Sequence, residues 1–435
     1  MAVQNYLSGS TSVNIAASVE GAVTSGKLPA GARLPPVRSA AAQLGVSPAT
    51  IAAAYRLLQD RGVVASDGRR GTRVRPAPPI AIPREISIPA GMRDLSDGNP
   101  DPALLPNADA ALRRLGPVAR LYGEELNDPR LLDLAREQFR ADGIPADHVA
   151  VVSGALDGIE RVLREHLRPG DRVAVEDPSF TGILDLLSAL SLVPVPVVVD
   201  DQGLLPAALK KVIRSCEALV VTPRAQNPTG AALTPRRTRE LRNVLASRPE
   251  IVLIEDDHAG AVAGADYVTL IDRTRSAWAI VRSVSKSLGP DLRVALLASD
   301  ARTHARVEGR QTLGIRWVSH ILQRLVAALW KDRIPARAGR VYTERREALL
   351  RALAARGIRA HGASGLNVWI PVSEESATVQ ALLAAGWAVR AGERYRIASA
   401  PAIRVTIATL TPKDALKFAD DLARVMAPAR RGSGA

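Results

Sequence analysis

The chain has 435 residues, 47% hydrophobic and 23% charged, which is enough apolar material for two or three domains with sizeable buried cores. A single cysteine, Cys216, excludes an internal disulfide, the six scattered histidines show no metal-ligand spacing, and the longest apolar runs are far too short to cross a bilayer. The net charge of +14 is uneven: residues 1–75 carry nine Lys and Arg against three acids, a net +6 that suits a polyanion such as double-stranded DNA.

The N-terminus has polar residues where a secretory signal needs an apolar run, so a cytoplasmic location is expected. Residues 11–25 predict a helix, with Val13, Ile15, Ala16, Val19 and Val23 near a 3.6 repeat. "LPPVRSAAAQLG" predicts a second helix, started by proline and ended by Gly45. "VSPATIAAAYRLLQDRG" predicts a third, with Ser47 as N-cap, Pro48 at the first helical position and Gly62 as its stop. "VVASDGRRGTRV" reads as a hairpin with arginines at its tip. Three helices and a basic hairpin make a winged helix-turn-helix over residues 1–75. The five prolines that follow predict an extended, semi-rigid linker over 76–93.

From residue 94 the pattern changes to α/β. "HVAVVSG", "RVAVED", "VPVPVVVD", "ALVVTP", "IVLIEDD", "WAIVRS" and "RVALLAS" are short strands, several separated by helical stretches at 154–167, 180–191 and 234–247. Strands apolar on both faces imply a mainly parallel central sheet covered by helices, and such sheets bind ligands beyond their carboxyl ends. The residues there form a coherent set. Gly154-Ala155 opens a helix whose free N–H groups suit a phosphate, Phe180 supplies an aromatic plate, Asn227 an amide, "EDDH" a carboxylate and "SVSKSLGPDLR" a lysine. Pyridoxal 5'-phosphate asks for this combination. A lysine bonds its aldehyde, a carboxylate holds its pyridine nitrogen protonated, and an arginine neutralises its phosphate.

Two resemblances sharpen the expectation. "GARLPPVRSAAAQLGVSPATIAAAYRLLQDRGVV", followed by "GRRGTRV", resembles the signature and wing of GntR-family bacterial regulators. That resemblance implies DNA contacts from Arg38, Ser47, Thr50, Arg69, Arg70 and Thr72, with the third helix in the major groove. Residues 94–426 resemble the class I/II, fold-type I aminotransferases, with a smaller C-terminal α+β subdomain and a disordered tail at 427–435.

The second resemblance implies the following roles. Lys286 is the Schiff-base lysine. Ser153, Gly154, Ala155, Ser283 and Arg293 surround the phosphate, and Phe180 stacks on the ring. Asn227 donates to the ring's phenolic oxygen, where His258 stands in place of the usual tyrosine. Asp256 is the pyridine-nitrogen partner, with Asp257 the alternative if the register is off by one. Tyr122 reaches the phosphate of a neighbouring subunit in a homodimer, and Arg404 clamps a substrate α-carboxylate.

The two halves together resemble the MocR subfamily. This implies a pyridoxal-phosphate-dependent, DNA-binding transcriptional regulator whose effector is an amino acid or the cofactor itself. The alternative is an active aminotransferase with an appended DNA-binding domain.

Overall fold

A computed structural model describes residues 6–24, 27–60, 62–66, 71–75, 88–89, 91–116, 120–272, 275–330 and 334–427. Arg69, Arg70, most of the expected linker and residues 428–435 of the expected tail lie outside the described residues. Two compact units are present.

The N-terminal unit contains α1 (Ser12–Thr24), α2 (Val37–Leu44), α3 (Pro48–Asp60), β1 (Val64–Ser66) and β2 (Thr72–Val74). Its core is apolar: Ile15, Ala16, Val19, Leu34, Ile51, Leu58, Val64 and Val74 are all buried. Val13, expected on the buried stripe of α1, is exposed instead, because two residues before Ile15 on a helix is the opposite face. Pro36 precedes α2 rather than opening it. Its ψ of 145° is extended, so the first helical residue is Val37, and Gly45 ends the helix at φ 66°. Ser47 caps α3 as expected, its Oγ accepting from the Thr50 N–H at 3.1 Å. In the hairpin, Ala65 lies opposite Arg73. Gly71, at φ +89°, takes a backbone conformation in which any side chain would be strained, and the Arg33 guanidinium packs against it.

The larger unit begins with β3 (Arg93–Asp94), α4 (Ala108–Leu112), α5 (Pro129–Ala141), β4 (Val149–Val152), α6 (Ala155–His166), β5 (Arg172–Asp177) and α7 (Thr181–Ala189). It continues through β6 (Val193–Asp200), β7 (Gly203–Leu204), α8 (Pro206–Val212), β8 (Ala218–Val221), α9 (Pro235–Leu245), β9 (Val252–Asp257), β10 (Trp278–Ser283) and β11 (Ala295–Ser299). Helices α10 (Ala301–Leu313), α11 (His320–Trp330) and α12 (Ile334–Ala354) lead to β12 (Asn367–Pro371), α13 (Glu375–Ala384), β13 (Trp387–Ala388), β14 (Arg390–Ala391), β15 (Ala402–Thr406) and α14 (Pro412–Met426).

The central sheet has eight strands in the order β4-β11-β10-β9-β8-β5-β6-β7. Pairs β5–β8, β8–β9 and β9–β10 are parallel. Strand β11 runs antiparallel to both β10 and β4, so the mainly parallel sheet is mixed. The physical reason is the link between β10 and β11. It carries a short 3-10 turn and no α-helix, so the chain returns beside β10 in the opposite direction. The smaller subdomain is the antiparallel sheet β12-β15-β14 with α12, α13 and α14 around its own apolar core, and β13 pairs with β3. Strands β4, β5, β8, β9 and β10 therefore end along one edge, where 153–155, 178–180, 222–227, 258 and 284–286 follow.

Candidate functional site

Strand β9 ends in three successive carboxylates, and the pleat sends them to alternate faces. Glu255 and Asp257 go to one side. Glu255 accepts from the Tyr267 hydroxyl at 2.5 Å and the Thr269 hydroxyl at 2.9 Å, and burial lifts its carboxyl to about 7. Asp257 accepts from Arg224 Nε and Nη2, both at 2.9 Å, and from Arg282 Nε at 2.6 Å. Arg282, directly opposite Asp257 in the β9–β10 register, also reaches Asp142 at 2.6 Å. Its guanidinium lies between the rings of Phe139 and Tyr267. Asp257 is fully buried, but the two arginines outweigh its desolvation and hold its carboxyl well below the usual range.

Asp256 points to the other side, toward Glu176. It is buried and its Oδ1 has no hydrogen-bond partner among the described residues. Desolvation, reinforced by the charges of Asp257 and Glu176, raises its carboxyl to about 8. A buried carboxyl left without a partner is costly, and a ligand N–H or cation satisfies it. Glu176 accepts from the Thr222 N–H at 3.1 Å and from Gln226 Nε2 at 3.2 Å, and burial raises it to about 7.

Lys286 follows β10, and its Nζ donates to the Gly98 carbonyl at 2.7 Å. Desolvation first, then the neighbouring charge of Arg404, lowers its pKa to about 8. His258 Nε2 bonds the Ala225 carbonyl at 2.8 Å, and burial pushes its pKa down to about 4, so the imidazole is neutral. Arg404, on β15, donates through Nη2 to the Ser96 carbonyl at 2.5 Å and through Nη1 to Asn227 Oδ1 at 3.2 Å. Its Cζ lies 5.1 Å from the Tyr395 ring centre. The structure thus brings Lys286, His258, Asn227 and Arg404 into one buried neighbourhood with the loop at Ser96–Gly98.

At the other end of the site, Ala155 begins α6 as expected, and Gly154 takes φ +102°. A Cβ on Gly154 would lie 2.8 Å from Arg293 Nη2, so only glycine lets that guanidinium approach the helix start. The Ser153 N–H is already taken, at 2.9 Å, by Asp157, which also pairs with Arg161. The first-turn carboxylate therefore occupies one of the donors expected for a phosphate. Ser283 Oγ accepts from the Ser285 N–H at 3.1 Å. Phe180 is half-buried at the end of β5, with Ser179 N–H bonded to the Tyr395 carbonyl. Tyr122 is not in this neighbourhood. It is 79% exposed and packs edge-on against Trp317, with Arg316 over its ring.

Gly98, Ser96, Glu176, Arg224, Arg282, Arg390 and Tyr395 were not singled out from the sequence. A signal existed for Arg282, since a charge ending the apolar run "WAIVR" must be paired if the strand is central. The loop residues carried none, because "DLSDGNP" reads only as turns.

Among the DNA-contact candidates, Arg38 and Ser47 are exposed, while Thr50 and Thr72 are half-buried. The Ser47 hydroxyl also lies 2.9 Å from Thr50 Oγ1, so the capping side chain and Thr50 are hydrogen-bonded to each other at the start of α3. The Thr72 carbonyl accepts from the Leu34 N–H at 2.8 Å, tying the second strand of the hairpin to the segment before α2.

Comparison with known proteins agrees with both halves. Residues 11–74 match the bacterial regulatory proteins of the gntR family, and residues 107–422 match aminotransferase class I and II. The vitamin B6 salvage pathway transcriptional repressor PtsJ of Salmonella typhimurium is 39% identical over 428 residues, covering 96% of this chain and 98% of that protein. The HTH-type transcriptional regulator TauR of Rhodobacter capsulatus is 29% identical, covering 79% and 80%. Among solved structures, the kynurenine aminotransferase of Pyrococcus horikoshii superimposes with a TM-score of 0.70 at 18% identity, covering 78% of this chain and 91% of that one. The α-aminoadipate aminotransferase LysN of Thermus thermophilus gives 0.68 at 22%, covering 78% and 92%, so the larger unit has the aminotransferase fold. The chain belongs to the gntR-type bacterial regulators in which a winged helix is joined to a class I and II aminotransferase domain.

Proposed function

We propose that this protein is a cytoplasmic, pyridoxal-phosphate-dependent transcriptional regulator. It binds operator DNA through its winged helix and senses an amino acid, or pyridoxal phosphate itself, through its larger unit. One observation carries the cofactor reading: a buried carboxyl without a partner, Asp256, in the same site as a desolvated amine of lowered pKa, Lys286.

The residues fit the group. Asp256 would hold the pyridine N–H, and Asp257, already saturated by two arginines, is a poor candidate for it. Asn227, whose Nδ2 has no partner among the described residues, would donate to the phenolic oxygen, and Phe180 would lie against the ring. Gly154, Ala155, Ser283 and Arg293 would receive the phosphate. When bound, pyridoxal phosphate supplies an aldehyde that bonds amines and a ring that withdraws electrons. The chain's own part is to keep Lys286 dry and readily deprotonated, to hold His258 neutral, and to present Arg404 to a carboxylate.

A homodimer is supported by the exposed apolar surface of Leu121, Tyr122, Leu313 and Ile315 beside Trp317, a surface of the kind that pairs with another subunit. The completeness of the Lys286, Asp256, Asn227 and Arg404 set also favours some residual transamination, which assay of released keto acid would measure.

The test is the visible spectrum of the purified protein with added pyridoxal phosphate, beside Lys286→Ala, followed by borohydride reduction and peptide mapping. A band in the wild type alone, with reduced cofactor on the peptide containing Lys286, is expected. Absence of the band would overturn the cofactor reading. A gel shift on the protein's own upstream DNA tests the regulatory half, and no specific shift at moderate salt would favour the enzyme reading.

A further inference from the structure

Beside Arg404 stands a second arginine whose position implies a ligand. Arg390 lies on β14 directly opposite Arg404 on β15. Its Nε donates at 3.3 Å to the Ser96 carbonyl, the same oxygen that accepts from Arg404 Nη2. Two guanidiniums meeting at one oxygen stand side by side, with the Lys286 amine held two residues further along that loop by Gly98.

No carboxylate pairs with any of the three cations among the described residues. The nearest acids hydrogen-bond within their own loop, Asp94 to the Ser96 N–H and hydroxyl and Asp97 to the Asn99 N–H and side-chain amide, and their charges act on Arg404 and Lys286 without a direct ion pair. Arg404 is buried, and its Nε has no partner. Arg390 is half-buried, and beyond its Nε bond its two terminal nitrogens have no partner among the described residues. Clustered cations drawn out of water without a direct ion pair are stabilised by an anion that joins them. Each planar guanidinium offers a fork that matches one carboxylate.

Resting on the proposed cofactor site, we infer that Arg390 is a specificity-determining residue: the effector is an amino acid with a second acidic group, its α-carboxylate held by Arg404 and its side-chain carboxylate by Arg390. A neutral amino acid leaves the Arg390 fork unmatched and gains only the first contact.

The experiment uses full-length protein loaded with pyridoxal phosphate. It is titrated with L-aspartate, L-glutamate and L-2-aminoadipate, and separately with L-alanine and L-leucine, following the visible absorption of the bound cofactor. At least one dicarboxylic amino acid is expected to half-saturate at a concentration about tenfold below the neutral ones, the effect of one added charge-assisted contact. In Arg390→Met that gap closes, and in Arg390→Lys, which keeps the charge but not the fork, part of it returns. The cofactor band in each variant reports that the site is folded. The inference is overturned if the wild type ranks neutral amino acids equal or better, or if no amino acid moves the spectrum. It is equally overturned if Arg390→Met weakens both classes alike, since both arginines would then hold one carboxylate. A wild type that takes up no cofactor would instead sink the reading on which the inference rests.

Discussion

The two units place their functional residues on opposite sides of the solvent boundary. In the winged helix the core among the described residues is mainly apolar, and candidates such as Arg38 and Ser47 stand in water. In the aminotransferase unit, Asp256, Asp257, Glu176, Arg282 and Arg404 are buried and Lys286 is largely withdrawn from solvent. The difference follows from the partners. DNA is read by mobile charges whose value is long-range and screened by salt, so exposure costs little. Amine chemistry needs ionisation constants moved far from their solution values, and only desolvation with fixed neighbouring charges does that.

The sharpest way to break this contrast is Lys286→Ala, for which complete loss of borohydride-fixed cofactor is expected by mass spectrometry. Fixation elsewhere would mean that the buried amine is not the special one. Next is Asp257→Asn, which leaves Arg224 and Arg282 without their buried counter-charge. A loss of about 3–5 kcal/mol in urea denaturation is expected, against near-neutrality if the network were merely decorative.

Asp256→Asn tests the sign of the electrostatics in the cofactor-free protein. The folded-state pKa of Asp256 is raised, so its contribution to stability is fully present below about 4 and is lost as pH rises through about 8. The wild type should therefore lose stability over that window. The variant should flatten the slope and gain about 1–3 kcal/mol at pH 9, the penalty of an unpaired buried acid. Denaturation curves across pH would show it, and an unchanged slope would count against the orphaned carboxyl.

On the exposed side effects should be smaller. Ser47→Ala should cost about 1 kcal/mol of stability by loss of the α3 cap, read in thermal unfolding. Arg38→Ala should lower DNA affinity modestly and reduce the slope of log affinity against log salt by about 1, as expected for one phosphate contact. A far larger drop, insensitive to salt, would place Arg38 among buried, specificity-bearing groups and blur the comparison.

Much of the fold was legible because its signals are local. The caps Ser47 and Gly45, the Gly62 stop and the paired β-branched runs of the wing each act within a few residues. The apolar strands from "HVAVVSG" to "RVALLAS" declared a buried sheet. The proline before α2 misled by one position because φ alone does not open a helix, and Val13 misled because a loose 3.6 count admits a residue on the wrong face. The reversed β11 lay beyond pattern reading, since a buried strand looks alike in either direction.

For the site, the sequence by itself determined the residue types and their order: a lysine, an amide, carboxylates and arginines at strand ends, each constrained by the chemistry expected there. It left Asp256 and Asp257 as alternatives, and the tertiary structure gives the two carboxylates different surroundings. The β9–β10 register sets Arg282 opposite Asp257, and the pleat turns Asp256 to the other face, without a partner. Tertiary structure alone also brought together Gly98, Lys286, Arg390 and Arg404. Arg390 and Arg404 face each other on neighbouring strands, but Gly98 and Lys286 are far from them in the chain, and their approach depends on how sheet and subdomain pack, which no local spacing encodes.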